Sequence, residues 1–133
     1  MRTTARRFHP GEDLLDVLVA WSNANEFRAP IVLTCVGSLS TASLRMAGAK
    51  RTDVLAGTFE IVSLVGTLAE DGAHLHLAVS DEAGAMTGGH LMSGSIVRTT
   101  AEVVIGELGD IVFRREIDPA TTWDELVVEP RTN

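Results

Sequence analysis

The run His74-Leu-His-Leu-Ala-Val79 alternates polar and apolar residues with a period of two. That pattern predicts an extended strand. His74 and His76 then project from one face, and Leu75, Leu77 and Val79 point the other way, towards a core. A strand of this kind needs a sheet around it. Thr58 to Leu68 predicts a long neighbour, and Ala69-Glu-Asp-Gly72 a hairpin turn between the two. On the other side, a hairpin-like Asp81-Glu-Ala-Gly84 leads to Gly88-Gly89-His90. Glycines permit tight backbone and close chain approach, so a third imidazole can be brought back to the first two.

Two ligands on one strand and one on a returning segment make a three-histidine metal site. Such a site leaves one coordination position for water or substrate. The spacing is not that of a zinc finger, and no cysteine joins it. The alternative is a patch of surface or hydrogen-bonded imidazoles, and strand spacing alone leaves both open. Neutral imidazole is the ligand form, so metal binding should weaken below about pH 6.

Elsewhere the pattern is that of a small α+β domain. Asp13 is a plausible N-cap, and Leu14, Val17, Leu18 and Trp21 follow at helical spacing, with the helix ending near Asn25. Ile31 to Val36 predicts a strand buried on both faces. A bend at Gly37–Ser40 and a second strand from about Ala42 to Ala47 follow. In Thr58–Leu68, strict alternation puts Phe59, Ile61, Ser63 and Val65 on one face and Glu60, Val62, Leu64 and Gly66 on the other. Ser95–Glu107 favours extended structure. Gly109-Asp110 predicts a tight turn, with Ile111–Ile117 pairing back, and Asp118-Pro119 ends that strand. Trp123 and Leu126–Val128 close the domain with an apolar patch. The division is an N-terminal arm over 1–10, one domain over 11–128 and a flexible tail over 129–133. Its sheet should be mainly antiparallel, with one main N-terminal helix.

Three further residues are candidates for a ligand cleft. Arg45 lies in an apolar strand, where it either makes a rim ion pair or holds a carboxylate ligand. Glu60 sits on a largely apolar strand face and needs a partner or water. Glu102 is either an exposed strand residue or a metal ligand, imidazole acceptor or general base. His9, in the turn before the helix, is expected at the surface.

The charge balance limits the partners. With 11 Lys and Arg against 18 Asp and Glu, the net charge is −7. DNA affinity rests on cations that neutralise phosphates. This chain has one lysine, Lys50, scattered arginines and no AT-hook core, so DNA is possible but disfavoured. Arg2, Arg6 and Arg7 could still make a local basic patch. No apolar run is long enough to span a bilayer, and no secretory signal follows the basic N-terminus. The lone Cys35 is a small buried hydrophobe by its surroundings and suits a reducing cytoplasm.

The run Gly57 to Gly66, then His74-Leu-His76, Gly88-Gly-His-Leu91 and Thr99-Thr-Ala-Glu-Val-Val104, resembles the PPC domain (plant and prokaryote conserved domain) over about Gly11 to Val128. Gly37-Ser38 and Arg45 match residues usual in that family. The resemblance implies a compact α+β homotrimer, with the histidine site in or near a cleft between subunits. It also carries the family's DNA-binding label, which in plants accompanies AT-hooks. The histidine pattern is similar to the zinc site of acetolactate decarboxylase. This implies zinc, or another divalent metal, on His74, His76 and His90. It extends to a lyase in which Arg45 pairs with a small-molecule carboxylate and Glu102 or Glu60 moves a proton. That enzyme is longer, and its further catalytic residues have no match here.

Overall fold

The structure is a computed structural model and describes residues 1–132. The elements run β1 (Arg2–Phe8), α1 (Leu14–Ala24), β2 (Pro30–Arg45), β3 (Asp53–Ala69), β4 (Gly72–Ser80), β5 (Met86–Leu91), β6 (Ile96–Glu107), β7 (Ile111–Ile117) and β8 (Asp124–Pro130). The first six strands form one sheet in the order β1-β6-β2-β3-β4-β5. Every pairing in it is antiparallel. β5 pairs with β2 as well as β4, through Leu44↔Leu91 and Arg45↔His90, so this end of the sheet curls closed. β7 and β8 form a separate two-stranded sheet.

The helix begins where Asp13 accepts a hydrogen bond from the Asp16 N–H. Its Leu14, Leu18 and Trp21 are buried, and Trp21 meets Phe8 edge-on with ring centroids 5.7 Å apart. They join Leu39, Leu44, Leu64, Leu77, Val79, Val97, Val103 and Ile105 in the main core. Fully burying each such side chain contributes about 1.5–3 kcal/mol, so this core is what holds β4 and its histidines in place.

Three strand expectations are corrected. First, Gly37–Ser40 does not divide the chain. β2 is continuous and absorbs the irregularity as register shifts between Gly37 and Leu39 and between Leu39 and Thr41. Second, the Ile31–Val36 stretch is covered on one face only, with Val32 and Cys35 buried and Leu33 and Val36 exposed. Third, β3 does not alternate strictly, because its register shifts between Ile61 and Ser63. An extra residue in one strand moves every later side chain to the opposite face. Phe59 and Ile61 are therefore buried with Leu64, while Val65 is exposed.

The C-terminal strands also differ from expectation. β7 pairs with β8, not with β6. Its Phe113 packs with Ala29 and Ala69 in a small second core, and its N–H donates to the Arg28 carbonyl at 2.8 Å. β8 carries strand pairing to Pro130, and Arg2–Phe8 is an edge strand against β6. Asn133, the last residue of the expected tail, lies outside the described residues. Among the described residues no helix is long and apolar enough to cross a membrane.

Candidate metal centre

His74 and His76 sit two apart on β4, and their Nε2 atoms are 3.1 Å apart. β5 delivers the third imidazole, since His90 is the direct cross-strand partner of His76. Side chains of direct antiparallel partners share a face. The ring centroids of His74 and His90 lie 4.9 Å apart with the planes 10° from parallel, and those of His76 and His90 lie 4.6 Å apart. One nitrogen from each ring falls within 4.8 Å of the others, with no carboxylate or thiol in the group.

The glycines explain why the strands can come this close. A Cβ on Gly89 would stand 2.8 Å from the Arg45 carbonyl oxygen, and one on Gly88 2.8 Å from that of Leu77. Gly66, at φ +139°, has the His74 carbonyl where a Cβ would be. A larger residue at any of the three would push apart strands that carry the histidines.

The electrostatics favour neutral rings at His74 and His90. Partial burial lowers the pKa of His74, and the neighbouring His76, Arg115 and Arg45 lower it further against a raising effect of Glu125. Burial, then Arg45 and the other two histidines, lower that of His90. Neutral imidazole offers a lone pair to a metal. Three imidazole nitrogens this close could hold a divalent ion.

Arg45 lies beside the histidines. It is half-buried, stands opposite His90 across β2–β5, and its guanidinium carbon lies 5.0 Å from the centroid of the Trp123 ring. Glu60 and Glu102 do not join the histidines. Glu60 is exposed and pairs with Ser80, four residues along β4 from His76. That is roughly 13 Å at the usual strand rise. Glu102 is exposed and faces Val36 and Arg7, and Val36 lies nine residues along β2 from Arg45, or roughly 30 Å. His9 is at the surface, its N–H donating to Glu12 at 2.6 Å.

Four residues beside the histidines were not marked by the sequence: Arg115, Trp123, Thr67 and Glu125, whose charge acts on His74. Arg115 donates from Nη2 to Thr67 Oγ1 at 2.6 Å, and Thr67 is the cross-strand partner of His74. The only signal in the sequence was a cation among the alternating apolar residues of β7.

This fold and chain have relatives. The model of the Plants and Prokaryotes Conserved (PCC) domain matches residues 1–109. The chain is 42% identical over 129 residues to the bifunctional protein GlmU of Synechococcus sp. (strain JA-3-3Ab), covering 97% of this chain and 21% of that protein. It thus spans about a fifth of the length of that relative. A hypothetical protein of Salmonella enterica is 46% identical, with a TM-score of 0.96 over 98% of this chain and 95% of that one. Two more distant structures share the fold. One is a candidate DNA-binding protein of Bacteroides thetaiotaomicron, at 18% identity and TM-score 0.84 over 94% and 91% of the two chains. The other is a metal-containing protein of Archaeoglobus fulgidus, at 20% identity and TM-score 0.81 over 96% and 94%. With a family model matching most of its length, the chain belongs to the Plants and Prokaryotes Conserved domain family.

Proposed function

We propose that the protein binds a divalent metal ion, zinc by preference, through His74, His76 and His90. The observation that carries this reading is the convergence of three imidazole nitrogens within 4.8 Å on the β4–β5 ladder. Three neutral nitrogen donors suit zinc, copper or nickel better than magnesium or calcium, which prefer oxygen. The metal-containing Archaeoglobus protein, similar in fold, accords with it. When bound, such an ion would polarise an oxygen-bearing ligand as a Lewis acid. Arg45, beside His90, would hold a carboxylate of that ligand. The family resemblance and the exposed Leu33, Val36, Val62 and Val65 on the neighbouring strands β2 and β3 support assembly as a homotrimer. The lone buried Cys35 suits a reducing compartment such as the cytoplasm.

Two alternatives fare less well. A decarboxylase-like lyase would need a proton carrier at the metal: Glu60 and Glu102 lie far along their strands, and Glu125, the carboxylate that acts on His74, is not part of the histidine group. A DNA-associated role would need a basic surface. Arg28, Arg114 and Arg131 gather beside β7–β8, but Arg114 pairs with Glu129 at 2.9 Å and Arg131 with Glu107 at 3.5 Å. The net charge of −7 opposes it too.

Zinc titration by calorimetry tests the metal reading against a His90→Ala variant. One site per chain, abolished by the substitution, is expected. Equal zinc binding by both proteins, or by neither, would exclude this centre.

A further inference from the structure

The β7–β8 hairpin lies beyond residues 1–109, the part matched by the family model, and it brings a second cation to the histidines. The backbone N–H of Arg115 donates to the Asp71 carboxylate at 3.2 Å, which ties the hairpin to the β3–β4 turn. The Nη2 donation to Thr67 then fixes the guanidinium on the His74 edge of the cluster. Its Nε is buried and has no acceptor, and the side chain forms no ion pair among the described residues. On the opposite edge, Trp123 of the same hairpin lies against Arg45 beside His90. The hairpin therefore carries one guanidinium to the site and packs against the other.

The charge bookkeeping points to an anion. The three candidate ligands are neutral nitrogen donors with no carboxylate among them, so a divalent ion there would keep its full charge. Two guanidiniums flank it. Glu125 is close enough to act on His74 and Arg115, and Asp71 and Asp124 also act on Arg115, yet none of the three pairs with that guanidinium at ion-pair distance among the described residues. A planar guanidinium matches a carboxylate better than it matches a single-point acceptor.

We propose that the β7–β8 hairpin makes the histidine centre a receptor for a small organic acid, with Arg115 holding a carboxylate from the His74 edge, across from Arg45, while a second oxygen of the same molecule binds the metal. This rests on the metal reading above and names its ligand class. Arg115 acts here as a binding residue, not as a metal ligand.

The test uses the full chain loaded with cobalt(II), whose visible spectrum reports changes at the metal, titrated with malonate and separately with inorganic phosphate. Malonate should shift the spectrum saturably. Arg115→Gln should weaken malonate binding at least about tenfold, and Arg115→Lys less, while cobalt affinity changes less than about twofold. Malonate binding equally to wild type and Arg115→Gln would overturn the proposal. So would phosphate binding more tightly than malonate, or a spectrum that neither anion alters. Should Arg115→Gln fail to fold, Arg115→Lys decides: it keeps the charge but loses the fork, and unchanged malonate affinity refutes the assignment. Failure of the wild type to bind cobalt is a different result, because it removes the metal reading itself.

Discussion

His76 and His90 stand directly opposite each other across the β4–β5 ladder, with ring centroids 4.6 Å apart. Neither strand can slide without separating them, because a slip of one residue turns the whole set of side chains to the other face. The site is therefore a property of the register, and the register is held by Leu75, Leu77 and Val79 in the core. Replacing His76 or His90 by Ala should reduce zinc affinity by more than the tenfold to hundredfold that loss of an outer hydrogen-bond partner costs. Unfolding curves without metal should barely move. Zinc titration alongside denaturant unfolding checks both.

Acidity should weaken both metal binding and the fold. His74 and His90 have pKa values lowered from the ordinary 6.5, first by partial burial and then by neighbouring positive charge. The folded chain takes up these protons less readily than the unfolded chain. From about 6.5 down to the folded values the unfolded state holds more protons, so stability rises with pH across that window. Above it the pair costs nothing. As pH falls through it, the metal-free protein should lose stability. A zinc-loaded protein should lose its metal over the same range as protons compete for the nitrogens. Melting curves with and without zinc from pH 7.5 to 5 would show it.

Gly66→Ala should damage the centre from a distance. The position has φ +139°, and the His74 carbonyl occupies the space a Cβ would need. Relief requires β4 to move away from β3 where His74 is carried. Such strain in a packed region costs typically 1–3 kcal/mol, and zinc affinity should fall as well, although Gly66 touches no imidazole nitrogen. Gly109→Ala, where nothing lies within 4 Å of the added carbon, is the matched control and should leave zinc affinity unchanged.

Glu107 is a structural carboxylate that should be costly to remove. It is buried, accepts the Arg28 N–H at 2.9 Å, and pairs with Arg2 at 3.3 Å and Arg131 at 3.5 Å. Glu107→Ala would leave a partly buried N–H without an acceptor, at a cost of about 1–3 kcal/mol. Metal affinity should not change, because Glu107 pairs with β1 and β2 far from the histidines. Unfolding and zinc titration of the same variant separate the two effects.

The parts of this protein legible in its sequence are those set by local periodicity. His74-Leu-His76 could be placed on one strand face because strand geometry allows little else, and Asp13 marked the helix start by its own chemistry. Other features depend on partners remote in the chain. The shift between Ile61 and Ser63 is imposed by pairing with β4, so alternation along β3 alone put Val65 on the wrong face. The pairing of β7 with β8 left Arg115 beside His74, a neighbour 41 positions away. Glu60 and Glu102 show the converse. Each had the right chemistry for a metal site, but only the sheet order reveals how far along the strands they lie.

The most direct measurement is anomalous diffraction at the zinc absorption edge from crystals grown with zinc. The expected result is one peak per chain at about 2.0–2.1 Å from a ring nitrogen of each of His74, His76 and His90. A structure at the same edge with no peak among these three imidazoles, or with its only peak elsewhere on the chain, would contradict the assignment of this cluster as the metal centre.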